Sequence, residues 1–282
     1  MGEQEPYVGL ATTFDTAAEL YERARPGYPE RLFADLAATT GLVTGPARVL
    51  EVGTGTGKAT RGLLARGWQV VGLEPGRELA TVARRVLAGR GDVRVVVSPF
   101  ERWEADESVP FDLVFAATAW HWLDPEVAYR RAAELLRPGG HLAIVATEHV
   151  SPAGGDDFFR QVQRIYAEVG MGDGQGGPQP PGAIAAPDAL AMAGSGFFAS
   201  PTVHRYVWSR DYTADEYLAV LSTYSNHIAA EPWQRRTLFD GIRQLIAARP
   251  AGTVRKHYLN TLQIAVRLDR PPRAPSGSMA TC

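Results

Sequence analysis

The chain has 282 residues, of which 45% are hydrophobic and 21% are charged, so it can bury a sizeable core. Its 29 Lys and Arg residues nearly balance 31 Asp and Glu residues, and a net charge of −2 without a basic run argues against a nucleic-acid partner. The single cysteine, Cys282, excludes an internal disulfide framework and any cysteine-based metal site or nucleophile.

The first half of the chain alternates short apolar runs with helical patterns. The apolar, strand-like runs lie at 47–52, 68–73, 93–97, 111–117 and 141–146. Helical patterns lie at 58–66 and 79–87, and a further helix begins after Asp124, a predicted N-cap followed by Pro125, and ends before the 137–140 turn. Continuously apolar strands separated by helices indicate a mainly parallel sheet with helices on both faces, which is a Rossmann-like α/β core.

The pattern changes after residue 150. Residues 170–187 are rich in Gly and Pro and are predicted to form a mobile loop. Strands are predicted at 202–209 and 261–268. Two helices are predicted between them, one opened by a capping box at Thr213–Glu216 and one opened by Pro232.

A glycine-rich turn lies between the first strand and the following helix, where Gly53, Gly55 and Gly57 alternate with threonines. Such glycines allow a tight turn and bring backbone N–H groups close to a ligand. A P-loop would need glycine at position 52 and serine or threonine at position 59, where the chain has valine and alanine. A dinucleotide fingerprint would need glycine at position 58, where the chain has lysine.

Two acidic residues accompany this turn. Glu51 directly precedes it, and Glu74 ends the second strand. The pattern suits S-adenosylmethionine (SAM), which has no pyrophosphate to bind. Its amino group favours a nearby carboxylate, and its ribose diol can be bound by both oxygens of Glu74.

The ordered motifs over residues 12–147 resemble those of the class I SAM-dependent methyltransferases. The matching segments are the 51–57 turn, Glu74, the 111–117 strand and the 135–142 turn into the fifth strand. The resemblance implies SAM as the cofactor and S-adenosylhomocysteine (SAH) as its product. The cofactor-binding residues that it implies are Tyr21, Arg25, Glu51, Gly53, Thr54, Gly55, Gly57, Glu74, Pro75, Pro99, Phe100, Thr118, Ala119 and His121.

One stretch departs from the family's pattern. Family members usually end the third strand with an acid that receives the adenine amine, and the next backbone N–H meets the adenine ring. Here Ser98 or Pro99 stands in place of the acid, and proline has no N–H to donate. We expect Phe100 to lie near the adenine and to contribute its N–H.

Trp120, His121 and Trp122 follow the fourth strand, and ligands in open α/β sheets bind at the carboxyl ends of the strands. His121 is a candidate general base, because an imidazole between two indoles would titrate near neutral pH. The alternative is a hydrogen-bonded spacer beside the cofactor. Trp120 and Trp122 are candidate substrate-binding residues, with core packing as the alternative.

A second resemblance lies near the N-terminus. Phe14, Asp15, Tyr21 and the 25–29 segment, with the later His121–Trp122 pair, are similar to the trans-aconitate-type branch of small-molecule methyltransferases. By that likeness the N-terminal helix folds over SAM, with Tyr21 and Arg25 near its methionine end. The alternative is that the 28–29 pair only caps the first core helix.

The resemblance divides the chain into five expected segments. These are an N-terminal cofactor-covering segment (1–30), a SAM-binding Rossmann-like core (31–150), a mainly helical substrate lid with one core strand near 202–209 (151–250), a final core strand (251–270) and a disordered tail (271–282). In the lid, Tyr224 and His227 belong to a polar cluster that we expect to face the substrate.

We therefore expect a SAM-dependent methyltransferase that transfers a methyl group to O or N of a small organic molecule. A tRNA or protein methyltransferase is an alternative that the neutral charge disfavours, and a SAM-binding protein of the same fold with non-methylating activity is another. No apolar stretch approaches the roughly 18–20 residues that span a bilayer, and the acidic start lacks a signal peptide's apolar segment. We expect a cytoplasmic monomer or homodimer without a metal, membrane or nucleic-acid partner.

Overall fold

A mixed β-sheet forms the centre of the molecule. The computed structural model describes residues 17–43, 45–105, 109–154, 156–172, 174 and 177–269. Its strands are Arg48–Val52 (β1), Gln69–Glu74 (β2), Val93–Val97 (β3), Phe111–Ala117 (β4), Leu136–Val150 (β5), Thr202–Thr213 (β6) and Thr253–Val266 (β7). Within the described residues they form one sheet in the order β3-β2-β1-β4-β5-β7-β6.

Helices connect and cover these strands. They are Ala18–Ala24 (α1), Glu30–Thr40 (α2), Thr60–Leu64 (α3), Arg77–Leu87 (α4), Pro125–Leu135 (α5), Phe158–Glu168 (α6), Ala189–Gly194 (α7), Ala214–Leu221 (α8), Ser225–Ile228 (α9) and Pro232–Ala247 (α10). Among them, none combines the length and the hydrophobicity that crossing a membrane requires. Single 3₁₀ turns occupy Phe100–Arg102, Trp120–Trp122 and Pro181–Ala183.

The strand order places the carboxyl ends of β1 and β4 at the point where a ligand is expected. Strands β1 to β5 are parallel, and β1 pairs with β2 on one side and with β4 on the other. In open α/β sheets ligands bind at such a reversal of strand order. Gly53 follows β1 and Thr118 follows β4, so both lie at this point.

The other half of the sheet extends beyond the parallel half. Strand β5 pairs with β4 only as far as Val145, but its antiparallel pairing with β7 continues to Val150. Strand β6 pairs with β7 antiparallel along its whole length, from Thr202 to Thr213. The far ends of β5, β6 and β7 therefore form a three-stranded extension past the end of β4.

Apolar side chains pack on both faces of the sheet and in a separate cluster among the later helices. One face buries Phe33 and Trp68, and the other buries Phe111 and Trp120. The third cluster joins α6, α8 and α10 to the sheet extension through Phe158, Phe159, Val162, Tyr212, Tyr217, Leu218, Leu221, Leu238, Ile242, Ile246 and Tyr258. Ala24 at the end of α1 belongs to this third cluster, so α1 contacts the later helices as well as the core.

The predicted Rossmann-like α/β class is confirmed, and so are several predicted first residues of helices and strands. The predicted strands at 93–97 and 111–117 coincide with β3 and β4. Asp124 caps α5 by accepting the Glu126 N–H at 3.0 Å, and Thr213 opens α8 with a full capping box. Helix α10 begins at Pro232, as the sequence predicts.

The predicted bounds of the last strands are wrong. Strand β7 begins at Thr253, which lies within the expected 251–270 segment but before the start at 261 that the apolar pattern indicates, and β6 continues to Thr213 rather than ending at 209. Both added stretches pair with each other, and long-range pairing of this kind leaves no local sequence signal. The 137–140 turn lies within β5 as an irregularity of the β4–β5 register, with Gly139 at φ 68°. Phe14, Asp15 and the 271–282 tail lie outside the described residues.

Candidate active site

The glycine-rich turn after β1 forms the centre of the site. Gly53, Gly55 and Gly57 have positive φ angles of 71°, 58° and 86°, which side chains rarely adopt. The N–H groups of Gly53 and Thr54 donate to the Leu73 carbonyl at 2.9 and 3.0 Å, which fixes the turn against β2. A Cβ at Gly53 would lie 2.4 Å from the Ala119 Cβ, whereas a Cβ at Gly55 would meet nothing within 4 Å. The turn is packed at Gly53 and leaves open space over Gly55.

Glu74 is held beside that open space by the backbone. Its Oε2 accepts the Gly55 N–H at 2.8 Å, and its Oε1 accepts the Gly76 N–H at 2.9 Å. The residue is 5% exposed. The two backbone N–H groups thereby fix the carboxylate at the edge of the open space over Gly55.

Glu51 lies on the other side of the turn and is 1% exposed. Its Oε2 accepts the Thr60 hydroxyl at 2.6 Å. Burial raises the pKa of Glu51 to about 8, with Glu74 adding to the rise and the Thr60 hydrogen bond opposing it. In the ligand-free protein this carboxyl is therefore mainly protonated at pH 7, and a nearby cation would favour its ionised form.

Helix α1 is tied to the turn by charged groups. Glu22 accepts the Thr56 hydroxyl at 2.7 Å and forms ion pairs with Lys58 and Arg61. Lys58 Nζ also donates to the Glu22 carbonyl at 2.6 Å. Lys58 therefore holds α1 against the turn, a role that differs from that of a P-loop lysine.

Two cavities meet at the glycine-rich turn. The smaller, of about 420 Å³, lies over Glu74 and is closed by the segments after β3 and β4. The larger, of about 660 Å³, lies between the turn, the sheet extension and helices α6, α8 and α9. Residues that line both cavities are Tyr21, Arg25, Gly53, Gly55, Ala117, Thr118, Tyr224 and Asn226.

The structure brings most of the sequence-predicted site residues to these cavities. Those lining only the smaller cavity are Glu74, Pro75, Pro99, Phe100, Ala119, His121 and Trp122. Those lining only the larger cavity are Glu51, Thr54 and His227. The predicted residues that line both are Tyr21, Arg25, Gly53, Gly55, Thr118 and Tyr224.

Two predicted site residues line neither cavity. Trp120, predicted to bind substrate, is 4% exposed and packs in the core, with its ring 6.1 Å from Phe100 and 5.3 Å from Tyr129. The 3₁₀ turn points this indole into the sheet face, so the core-packing alternative is the correct one. Gly57 does not line a cavity either, and a Cβ there would lie 2.9 Å from Leu87 Cδ1. Glycine at this position allows the turn to pack against Leu87 of α4.

His121, the candidate base, lines the smaller cavity but not the larger one. Its ring lies 4.8 Å from that of Trp122. Desolvation lowers the pKa of His121, and Asp188 opposes that effect. The structure therefore places this imidazole away from the larger cavity.

Thr118 has an unusual backbone for a residue other than glycine, with φ at 56°. Such a conformation is uncommon and is found in turns and at functional sites. Its hydroxyl lies 3.0 Å from the Tyr28 hydroxyl and 3.0 Å from Thr147 Oγ1. These bonds hold the end of β4 where the two cavities join.

Polar groups that the sequence reasoning missed line the larger cavity. Strand β5 contributes Glu148 and His149, and β7 contributes Lys256 and Tyr258. Lys256 is 3% exposed, although lysine is rarely buried. It is one of two lysines in the chain, but its burial depends on the unpredicted start of β7.

His227 is also buried, at 2% exposure, and is held in one tautomer. Its Nδ1 lies 2.8 Å from the Asn226 Oδ1, which can only accept, so Nδ1 donates and Nε2 accepts the Tyr166 hydroxyl at 2.7 Å. Burial lowers the pKa of His227 to about 4, helped by Lys256 and Arg25. The imidazole is therefore neutral at pH 7.

This fold, with a glycine-rich turn between two buried carboxyl groups, defines a class of protein. Residues 50–144 match the family model of the methyltransferase domain. An uncharacterized methyltransferase of Mycobacterium tuberculosis is 30% identical over 244 residues, which cover 86% of this chain and 88% of that protein. The chain belongs to the class I SAM-dependent methyltransferases, and its cofactor is SAM.

Solved structures share the fold. A protein of Anaeromyxobacter dehalogenans described as a type II methyltransferase aligns with a TM-score of 0.57 and 21% identity, over 86% of this chain and 97% of that one. Phosphoethanolamine N-methyltransferase 2 of Haemonchus contortus, solved with phosphomonomethylethanolamine and SAH, aligns with a TM-score of 0.51 and 17% identity. That alignment covers 94% of this chain and 60% of that one. At these identities the likeness concerns the fold alone.

Proposed function

We propose that the protein transfers a methyl group from SAM to an oxygen or nitrogen of a small organic molecule. The adenosine part of SAM lies in the smaller cavity, its methionine part reaches Glu51 at the turn side of the larger cavity, and the acceptor occupies the rest of the larger cavity. The observation that carries this proposal is the meeting of two cavities at the glycine-rich turn, one over a fixed carboxylate and one among aromatic side chains. Ligand sites of this kind are mostly apolar with a few polar groups.

The residues around the turn fit SAM. The carboxylate of Glu74, fixed by two backbone N–H groups, is suited to the ribose hydroxyls. The open space over Gly55 is suited to close approach of the cofactor. Glu51, buried in its protonated form, gains a counter-ion when an ammonium group lies nearby.

The adenine end of the site departs from the usual family pattern at Ser98 and Pro99. Pro99 precedes the 3₁₀ turn of Phe100–Arg102, and the first N–H groups of a helical turn have no partner within it. Phe100 lines the smaller cavity while its side chain packs against Trp120. We therefore assign the adenine contact to the backbone of Phe100.

When bound, SAM supplies a methyl group already activated by its sulfonium. The protein then mainly has to align the acceptor and exclude water. Tyr21, Arg25 and Tyr224 close the boundary of the two cavities from the side of α1 and α9. Arg25 holds that closure, because its Nε donates to Thr223 Oγ1 at 2.7 Å and its Nη2 donates to the Thr223 carbonyl at 3.2 Å.

The size and cover of the larger cavity favour a small acceptor. Its volume of about 660 Å³ falls in the range of small-molecule sites. Helices α6, α8 and α9 lie over it, and the net charge of −2 offers no general attraction for RNA. These features support a small organic molecule rather than a tRNA or a protein.

Two experiments test this proposal. Calorimetric titration with SAH should show binding that Glu74→Ala weakens about 100-fold, since two hydrogen bonds to a charged group are worth about 3 kcal/mol together. Glu101→Gln is the matched control, because Glu101 lines the same cavity while the Gly55 and Gly76 N–H groups donate to Glu74. Unchanged SAH affinity in Glu74→Ala would refute the cofactor placement.

Labelled SAM is then incubated with a panel of phenols, alcohols, amines and carboxylic acids, and with total tRNA and a protein mixture. Label in a small molecule is the expected result. Label transferred only to tRNA or protein would contradict the proposed acceptor class, and binding of SAH without any transfer would favour a non-methylating SAM protein.

A further inference from the structure

A buried lysine and a tyrosine form a pair in the wall of the larger cavity. Lys256 Nζ donates to the Tyr224 hydroxyl at 3.0 Å. The ammonium group lies 5.4, 5.2 and 5.9 Å from the ring centroids of Tyr224, Tyr258 and Tyr217. Among the described residues, no carboxylate forms an ion pair with Lys256, although a buried cation normally has one.

A second cation lies on the same tyrosine. The Arg25 guanidinium is 4.0 Å from the centroid of the Tyr224 ring, within the distance of a cation–π contact. The hydrogen bonds of Arg25 to Thr223 fix it there. Tyr224 is therefore placed between an ammonium group at its oxygen and a guanidinium group on its ring face, and both stabilise a phenolate.

Tyr224 also lies where the two cavities join. It lines both of them, as do Tyr21 and Arg25, whereas His121 lines the smaller one alone. The methyl group has to pass from one cavity to the other at this boundary. An acceptor that attacks through an O–H or N–H group needs a proton acceptor on the same boundary.

Tyr224 differs from the tyrosines around it in the direction of its pKa shift. Burial raises the pKa of Tyr224, but Lys256 and Arg25 together outweigh it, and the net pKa is lowered. The tyrosines facing it have raised pKa values because they are buried: Tyr21, Tyr212, Tyr217 and Tyr258. His227, with its ring 5.7 Å away, is neutral at pH 7.

We propose that Tyr224 Oη takes the proton of the acceptor's attacking O–H or N–H group, and that Lys256 is a positioning residue that stabilises the Tyr224 phenolate. This inference rests on the proposed function. The attacking atom forms a bond to the methyl carbon, the electron pair of the broken C–S bond stays on sulfur, and the proton passes to Tyr224 Oη and later to solvent.

The first test needs neither SAM nor an acceptor. Tyrosinate formation is followed by ultraviolet difference absorbance as the pH is raised, in the wild type and three variants. One tyrosine should ionise before the others. Tyr224→Phe should remove that step, and Lys256→Met should move it up by about one pH unit or more. Tyr129→Phe is the control, because Tyr129 packs on Trp120 away from both cavities. Persistence of the early step in Tyr224→Phe would overturn the inference.

The second test uses whichever panel acceptor is methylated. The turnover number should rise with pH through the same ionisation, and Tyr224→Phe should lower it about 100-fold while SAH affinity is retained. Lys256→Met should move the rising limb by the shift seen in absorbance, which a merely structural residue would not do. Wild-type turnover in Tyr224→Phe, or an unmoved limb in Lys256→Met, would overturn the inference. A panel without any product contradicts the proposed function instead, and the absorbance test still decides which phenol ionises first.

Discussion

Binding of SAH to the ligand-free protein should release a proton from Glu51. The ligand-free carboxyl is buried and mainly protonated at pH 7, because burial raises its pKa to about 8. The proposed placement brings the ammonium group of the ligand close to this carboxyl. An opposite charge favours the ionised carboxylate, so binding and proton release are coupled.

The structure sets the expected size of this release. A carboxyl with a pKa of about 8 is about 90% protonated at pH 7. An opposite charge within about 4–6 Å lowers a carboxyl pKa by about 1–3 units, which brings Glu51 to about 5–7. Between about 0.4 and 0.9 of a proton should then leave Glu51 per bound SAH at pH 7. The amino group of SAH takes up at most about 0.2 of a proton in the opposite direction.

Calorimetric titration in two buffers measures this quantity. Phosphate and Tris differ widely in ionisation enthalpy, so the difference in observed binding enthalpy gives the number of protons released. Glu51→Gln keeps the shape of the side chain but cannot titrate, and it reports the SAH amino group alone. Glu148→Gln is the matched control, because Glu148 lines the larger cavity and also has a pKa raised by burial.

The wild type should release about 0.4–0.9 of a proton more than Glu51→Gln, and Glu148→Gln should behave as the wild type does. Equal proton release in the wild type and Glu51→Gln would refute the placement of the ligand's ammonium beside Glu51. Loss of the release in Glu148→Gln alone would move the ammonium to the other end of the larger cavity.

Three further predictions concern stability and the turn. Gly55→Ala should lower the free energy of unfolding by about 1–2 kcal/mol, because its φ of 58° disfavours a side chain, and it should also abolish SAH binding. Gly67 is the control, with a φ of 76° and equally open surroundings, and Gly67→Ala should lower stability by a similar amount and leave SAH binding intact. Because the folded state keeps the Glu51 proton longer than the unfolded state, ligand-free stability should fall as pH rises from about 4.5 to about 8, and urea unfolding of Glu51→Gln should show a smaller fall. The contribution of His227 to stability has the opposite pH dependence, because its pKa of about 4 in the folded state lies below the ordinary value of 6.5. Stability should therefore be lost as the pH falls from about 6.5 to about 4. A thermal unfolding series should show a smaller acid loss in His227→Gln than in the wild type, and an identical loss would count against the assignment.

The sequence was informative wherever a local pattern determined the structure. Asp124 and Pro125 predict the start of α5, and the Thr213 capping box predicts the start of α8, because both signals lie within one helical turn. The antiparallel extension could not be predicted in the same way. Lys256 and Tyr258 lie in a strand whose first half is specified by pairing with β6 and β5, residues far away in the chain.

In the candidate site, too, the features set by local spacing could be predicted from the sequence and the others could not. The glycine-rich turn and Glu74 are adjacent to strand ends and could be predicted from spacing, and the structure places them at one cavity. Trp120 shows the limit of that reasoning. A residue after a strand can point into the cavity or into the core, and only the 3₁₀ turn decides that Trp120 lies in the core.

The length of β5 has a consequence for how selectivity for the acceptor can change. The strand pairs with β4 beside the glycine-rich turn, and near its end at Val150 it places Glu148 and His149 in the wall of the larger cavity. Residues at its far end share no hydrogen bond with the turn in the described structure. With the acceptor placed as proposed, replacements there and at the facing positions of β6 should change the accepted molecule and leave SAM binding unchanged. On that placement, the sheet extension is where a redesign of acceptor selectivity would begin.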